Sequence, residues 1–355
     1  MVYPMEETIS IHYGQQGLNA LVKQLQAKDY SSLFVLTDTN TNLHCLAQFQ
    51  SYTGLTHLQI LTMRDGEEHK HLSTCELLWQ ELSERGADRN SALINLGGGV
   101  VTDLGGFVAC TFKRGIDFYN VPTTLLSMVD ASVGGKTGID LGPLKNQIGI
   151  IQEPQMVVVD SRWLNTLPFE ELRSGFSEML KHGLTADVHY WNTLKSVADL
   201  TPESLSPYIE RSVAIKSEVV LKDPKEKHWR KILNFGHTLG HAIESHFLTH
   251  PDKKRLLHGE AIAIGMITEA YLSIAYSGLS VREAEEIRSV FDRWFPKIVL
   301  TEADQKSILT LLRHDKKNKG NKIRFVLLER IGTPQIDLEI DQKAFDEAFS
   351  FYINT

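Results

Sequence analysis

The sequence predicts an α/β domain with a parallel sheet over residues 1–168, followed by a mostly helical domain over 169–355. Three observations carry that expectation. Before Pro168, short apolar runs alternate with segments of helical spacing, the pattern of parallel strands joined by crossover helices. Beyond it, helical spacing recurs with almost no strand signal. Two residue types are also concentrated: 11 of the 25 glycines fall between Gly97 and Gly149, and six of the 14 histidines between His228 and His258. Backbone-lined chemistry is therefore expected in the first domain and imidazole chemistry in the second.

Leu33–Thr37 reads as a buried strand ending at Asp38, and His57–Leu61 as a weaker one. His71–Arg85 places Leu72, Cys75, Leu78 and Leu82 on one helical face, with Gly86 as its stop. Ala92–Leu96 is a strand running into Gly97-Gly98-Gly99. Phe118–Val121 and Met156–Val159 complete a Rossmann-like pattern. In the second domain, Glu170–Thr185, Pro202–Leu221, Trp229–Phe247, Gly259–Ala275, Val281–Trp294 and Glu302–Arg313 read as helices, and Ile323–Leu328 as a late strand. The basic stretch Lys316–Lys322 before that strand reads as a solvated turn with room for a ligand role.

Of 355 residues, 42% are apolar and 23% charged, which excludes disorder as the main state. A net charge of −7 disfavours nucleic acid as a partner. No apolar run approaches a membrane span, and Met1–Ser10 lacks a signal-peptide pattern. Cys45, Cys75 and Cys110 are odd in number and widely spaced, so neither a disulfide framework nor a zinc ribbon is expected. A cytoplasmic protein is the expectation.

Leu96-Gly97-Gly98-Gly99-Val-Val-Thr-Asp103 lies between a strand and a helix start. Glycines there let the backbone approach a diphosphate, and the helix start offers free N–H groups. A tight turn without ligand explains the motif equally well. Asp38 at a strand end suits a ribose hydroxyl and repels a 2′-phosphate, favouring NAD over NADP. Gly134-Gly-Lys136-Thr-Gly138 superficially resembles the end of a P-loop, but the required earlier glycine is Asp130. What remains is Lys136 on a glycine turn with Lys145 nearby; the pair suits an anion, but taken alone it reads better as two surface lysines. His237 and His241 are four apart and share a helix face. They can ligate zinc, but Thr238 stands where a metalloprotease helix needs glutamate. His258 and Glu178 are further candidate ligands. Together these features suggest metal-assisted oxidation of a phosphorylated alcohol, with NAD taking the hydride.

The joint presence and order of Gly97–Asp103, Lys113-Arg-Gly115, Val121–Lys136, Lys145–Gly149, Ser177–Lys181, Arg230–His237 and Leu257–Glu260 resembles the 3-dehydroquinate synthase family of sugar-phosphate cyclases. The resemblance runs from about Asp38 to Leu328. It implies an N-terminal Rossmann-like domain and a C-terminal α-helical domain with the active site between them. It also implies a homodimer, NAD, a divalent metal (zinc or cobalt), and conversion of 3-deoxy-D-arabino-heptulosonate 7-phosphate to 3-dehydroquinate and phosphate.

Position by position, the resemblance makes Glu178, His237 and His258 the metal ligands and moves His241 to substrate contact and proton transfer. Asp130, Lys136, Asn146, Lys181, Lys216, Arg230, Asn234 and Lys316 match substrate-binding positions. Arg114 matches an arginine that reaches the phosphate of the partner subunit. Glu226 matches a proton acceptor, and Lys136, Lys181, Lys216, Glu226 and His241 form the expected catalytic set. Asp38, Asn40, Glu67, Lys70, Gly98, Gly99, Asp103, Thr123, Thr124 and Lys145 match NAD-binding positions. Three stretches depart from the family pattern: Gly142-Pro-Leu-Lys-Asn146, Ser177 before the ligand glutamate, and Asp223–Arg230. None removes a charge that the chemistry needs.

Rival readings are another cyclase, such as an aminodehydroquinate or 2-deoxy-scyllo-inosose synthase, and a metal-dependent NAD polyol dehydrogenase. A non-catalytic sensor has no need of paired lysines beside metal ligands.

Overall fold

The computed structural model describes residues 10–142, 144–250, 252–312, 323–341 and 343–353. It divides into two compact units, Met1–Pro168 and Phe169–Thr355.

In the first unit, strands β1 (Ile11–Tyr13), β2 (Leu33–Asp38), β3 (Gln59–Met63), β4 (Ala92–Gly97), β5 (Asp117–Pro122) and β8 (Met156–Val159) form one sheet in the order β1-β8-β5-β4-β2-β3. Every pairing in it is parallel. All six residues of β4 are buried, as a central strand covered on both faces must be. Helices α1 (Gly14–Lys28), α2 (Thr39–His44), α3 (Leu46–Thr53), α4 (Leu72–Glu84) and α5 (Gly99–Thr111) join the strands. Leu78 and Leu82 of α4 and Val101, Leu104 and Val108 of α5 pack with Leu36, Leu61 and Leu93 of the sheet into one core. From β2 the chain moves outward to β3, whereas from β4 it moves the other way to β5. The strand order thus reverses at the carboxyl ends of β2 and β4, where open α/β sheets place ligands.

One ribbon escapes the sequence pattern. Strands β6 (Lys136–Leu141) and β7 (Leu144–Ile151) pair antiparallel, with Gly138 opposite Gly149. Glycines interrupt the alternation that marks a hairpin, so the sequence suggests only a glycine turn there. The short edge strand β1 and helices α1, α2 and α3 were also not anticipated. The weak strand expected at His57–Leu61 begins two residues later.

The second unit is built from α6 (Phe169–Ala186), α7 (Val188–Leu194), α8 (Pro202–Lys222), α9 (His237–Thr249), α10 (His258–Tyr276), α11 (Val281–Trp294), α12 (Glu302–Leu312) and α13 (Ala344–Ile353). An antiparallel pair, β9 (Arg324–Arg330) and β10 (Thr333–Glu339), completes its described residues. Burial of α10 is almost continuous from Gly259 to Ala270, which marks it as the central helix. The single helix expected over Trp229–Phe247 is a correction. A 3-10 turn over Trp229–Asn234 ends at Phe235, Gly236 adopts φ +78°, and α9 starts afresh at His237. A side chain on Gly236 would also meet Met266 Cγ at 2.2 Å. Among the described residues, no helix is long and apolar enough to cross a membrane.

Candidate active site

In the first unit, the carboxyl end of β4 opens into a backbone cradle. Gly98 is the N-cap of α5 and supplies no side chain to bond the helix's first N–H groups. A Cβ on Gly98 would lie 3.0 Å from Thr124 Cγ2. Gly98 is thus packed closely against Thr124, and the bare helix start beside it suits a diphosphate, so the residues fit a dinucleotide. The Thr123 amide donates to the Gly97 carbonyl at 2.9 Å, tying the next loop to the same cradle. On β2, Asp38 caps α2. Its Oδ1 accepts from the Thr41 amide at 2.7 Å, and the Asp38 amide donates to Thr41 Oγ1 at 2.9 Å. The acid expected to hold ribose is therefore fixed in orientation, and Asn40 follows it on the exposed first turn of α2.

Beside the cradle, Lys70 is buried, and its Nζ donates to Asp103 Oδ2 and Asn146 Oδ1, both at 2.7 Å. Burial works against its charge, but Asp103 and Glu67 outweigh it and hold the ammonium above its ordinary range. Lys145 pairs with Glu67 at 3.2 Å. Asn146 sits at φ +49°, a conformation asparagine tolerates, and its amide donates to Asp140 Oδ1 at 2.6 Å. Burial, first among the causes, raises the Asp140 carboxyl. The first unit thus gathers Glu67, Lys70, Asp103, Lys145 and Asn146 into one charged network. Lys136 is exposed on β6, and Asp130 lies in the π-helical turn Ser127–Ala131. Arg114 stands between Lys113 and Gly115, all three at positive φ.

In the second unit, three helices converge because small residues let their backbones approach. The Gly259 amide donates to Ser174 Oγ at 2.9 Å, and a Cβ there would meet the Ser174 carbonyl at 2.2 Å. A Cβ on Gly265 would meet the Gly236 carbonyl at 2.0 Å. Helices α6, α9 and α10 are drawn together, each with one member of a triad: Glu178, His237 and His258. Their donor atoms all lie within 4.8 Å of one another. His237 Nε2 and His258 Nε2 are each 3.6 Å from Glu178 Oε1. Two ligands on a tetrahedral ion with bonds of about 2.0 Å are about 3.3 Å apart, so little adjustment is needed.

Hydrogen bonds aim both rings. His237 Nδ1 lies 3.2 Å from the Phe235 carbonyl. That contact assigns the proton to Nδ1 and leaves the Nε2 lone pair toward Glu178. His258 Nδ1 lies 3.4 Å from Glu244 Oε2. Burial and the Lys181 charge push His237 well below the usual imidazole range. For His258, burial again opposes the charge, but Glu244 and Glu178 prevail and raise it to about 9. One carboxylate and two imidazoles, outward nitrogens bonded, suit a divalent ion of the zinc or cobalt type.

Around this centre, Lys181 is buried and forms an ion pair with Glu178 one turn back on α6. The His241 ring centroid is 5.1 Å from that of His237 and 5.9 Å from that of His258. His241, Glu244 and His258 form a second possible ligand group sharing His258. Arg230 is buried, with Nη1 donating to the Pro224 carbonyl at 2.9 Å. Asn234 Nδ2 donates to Glu226 Oε1 at 2.7 Å, and Glu226 sits at φ +53°. Lys216 is buried on α8. Lys316 lies outside the described residues. Sequence reasoning missed the supporting roles of Glu244, Asp140 and the Phe235 carbonyl. Glu244 lies three residues after His241, so its place on that helix face was available as a signal; the other two depend on loop geometry.

Residues 60–174 match the family model described as 3-dehydroquinate synthase N-terminal, and residues 175–318 that described as 3-dehydroquinate synthase C-terminal. The chain is 38% identical over 330 residues to the 3-dehydroquinate synthase of Parabacteroides distasonis, spanning 92% of this chain and 93% of that protein. With the 3-dehydroquinate synthase of Campylobacter concisus it shares 41% over 284 residues, 80% of this chain and 81% of the other. A crystal structure of 2-deoxy-scyllo-inosose synthase complexed with carbaglucose-6-phosphate, NAD+ and Co2+ matches with a TM-score of 0.84 at 26% identity, covering 95% of each chain. From its donor triad, its glycine cradle and this agreement along both units, the chain belongs to the 3-dehydroquinate synthase family.

Proposed function

We propose that the chain is a 3-dehydroquinate synthase, a lyase that converts 3-deoxy-D-arabino-heptulosonate 7-phosphate to 3-dehydroquinate and phosphate. The reaction combines transient oxidation, phosphate elimination, re-reduction and intramolecular aldol closure. The observation that carries the reading is the Glu178–His237–His258 donor set with Lys181 buried against it, in a chain 38% identical to a protein of that name. The solved cyclase with NAD+ and Co2+ supports the cofactor pair, and its lower identity of 26% ranks its own substrate second.

Glu178, His237 and His258 would hold the divalent ion. In the first unit, Asp38, Asn40, Glu67, Lys70, Gly98, Gly99, Asp103, Thr123, Thr124 and Lys145 would hold NAD. When bound, NAD+ supplies a recyclable hydride acceptor, and the ion a Lewis acid that lowers the pKa of a ligated hydroxyl. The chain's own residues do the rest. Lys181, Lys216 and Arg230 are buried, so their charges act on a phosphate and a carboxylate with little screening by water. Asn234 orients the Glu226 carboxylate, which accepts a proton at an oxygen. His241 exchanges a proton at a ring nitrogen beside the donor triad. In the first unit, Asp130, Lys136 and Asn146 are assigned to substrate. We further assign the protein to the cytoplasm as a homodimer, with Arg114 serving the partner's phosphate.

The test is phosphate release from 3-deoxy-D-arabino-heptulosonate 7-phosphate, with and without NAD+ and Zn2+, while NADH absorbance is followed. Release that needs both cofactors without net NADH is expected. A folded, NAD-bound, metal-loaded protein that releases none overturns the substrate assignment. Net NADH accumulation would instead favour a dehydrogenase.

A further inference from the structure

The helix that delivers His237 lacks a cap of its own. Gly236 is the N-cap of α9, without a side-chain cap bond, and holds φ +78°. An uncapped, buried helix start leaves backbone N–H groups to be satisfied from elsewhere. Glu269 supplies them from α10. Its Oε2 accepts from the Gly236 amide at 2.6 Å and its Oε1 from the Leu239 amide at 3.1 Å. Its side chain is fully buried. A buried carboxylate is expensive unless it meets donors and a favourable field, and a helix N-terminus offers both.

The placement of this carboxylate matters more than its burial. The two amides it grips bracket His237, one immediately before the ligand and one two residues after it. Glu269 itself lies three turns along the helix that starts with His258. One side chain therefore ties the start of one ligand helix to the body of another and holds the two in register. The Phe235 carbonyl that aims the His237 ring immediately precedes the gripped Gly236 amide, so it belongs to the peptide unit Glu269 fixes.

We infer that Glu269 is a positioning residue for the metal centre: by capping α9 from α10, it presets the His237–His258 spacing before any ion arrives. This rests on the Glu178–His237–His258 reading of the site. Without the carboxylate, the first turn of α9 frays or turns and His237 Nε2 leaves its place, although none of the three ligands is changed.

The experiment compares the full chain with E269Q and S273A, titrating each metal-free protein with Co2+ and recording the visible d–d bands and thermal melts. In E269Q one amide oxygen still accepts, but the NH2 faces a backbone N–H, so one cap bond is lost. Ser273 lies one turn beyond on α10; its Oγ accepts from the Leu328 amide at 3.0 Å and donates to the Glu269 backbone carbonyl at 2.7 Å. S273A thus removes two buried bonds from the same helix, one of them to the Glu269 backbone, without touching α9 or the Glu269 carboxylate that caps it. We expect E269Q to bind Co2+ at least tenfold more weakly, with altered band intensity, and S273A to melt earlier with unchanged Co2+ affinity and spectrum. E269D, which keeps the charge one methylene further back, should recover part of the affinity, and it replaces E269Q if that variant does not fold. Wild-type affinity and bands in both Glu269 variants would overturn the positioning role. Equal weakening in S273A would do so too, by reducing the effect to general stability. Absence of Co2+ binding by the unaltered chain would overturn the metal-centre reading and this inference with it.

Discussion

Replacing Gly265 by alanine sets two opposing effects against each other inside α10. Alanine is better than glycine in a helix interior by about 1 kcal/mol, so an open site would gain stability. Here the new Cβ would lie 2.0 Å from the Gly236 carbonyl oxygen and 2.8 Å from the Gly240 nitrogen. Real Cβ atoms do not come within 3.0 Å of such neighbours, so the start of α9 must recede by about 1 Å. Both contacts are backbone and cannot rotate away. Overpacking of this kind costs about 3 kcal/mol, which leaves a net loss of about 2 kcal/mol. For a unit of this size, that lowers the melting midpoint by about 4–8 °C. The same displacement carries His237 away from Glu178 and His258, and about 1 Å of misplacement costs roughly 100-fold in rate. Circular dichroism melts and Co2+ titration read the two consequences separately. A variant that melts at or above the wild-type midpoint would refute the close-approach argument. One that melts early but binds Co2+ normally would uncouple the helix contact from the metal centre.

Other perturbations reach different parts of the molecule. Lys181→Ala removes a buried charged contact worth about 2–4 kcal/mol in the transition state, so kcat/KM should fall about 30- to 1000-fold in the metal-loaded enzyme. The same change leaves Glu178 without its lysine, so the metal-free variant should melt earlier than metal-free wild type. Activity near wild type would count against the assignment. Gly98→Val fills the cradle at the start of α5 and should weaken NAD+ binding at least tenfold by fluorescence titration, while Co2+ binding stays unchanged. Asp304 supports α12: although burial opposes its charge, Lys253 at 2.6 Å, Thr301 and His246 hold its carboxyl far below the usual range. A carboxyl depressed on folding adds stability above its unfolded pKa of about 3.9 and loses it as pH falls toward the folded value. Asp304→Asn should therefore cost about 1–3 kcal/mol at pH 7, a gap that closes below about pH 4 in urea unfolding. A gap independent of pH would show that the charge is not responsible.

Much of the fold was legible because the signal was local. Strands Leu33–Asp38, Ala92–Gly97 and Met156–Val159 are built on short apolar runs, and Val281–Trp294 carries its own capping box at Ser280 and Glu283. The β6–β7 ribbon was hidden because its pairing depends on facing glycines, which carry no alternation. The break before α9 was hidden because a lone glycine is tolerated inside a helical pattern, whereas the left-handed turn at Gly236 and the lack of room there for a side chain beside Met266 belong to the fold.

The sequence by itself determined the chemical inventory: a glycine-lined strand–helix junction, a carboxylate and two imidazoles in family-like motifs, and lysines and an arginine in excess of structural need. Residue type and short spacing suffice for that, since both are properties of the chain. Only the tertiary structure decided how the inventory is aimed. Glu178, His237 and His258 come from three helices as much as 80 residues apart in sequence. Their meeting depends on backbone approach at Gly259 and Gly265 and on the carboxylates of Glu244 and Glu269. Such approaches are set by packing between distant segments, and no local periodicity encodes the distance at which two helices stop.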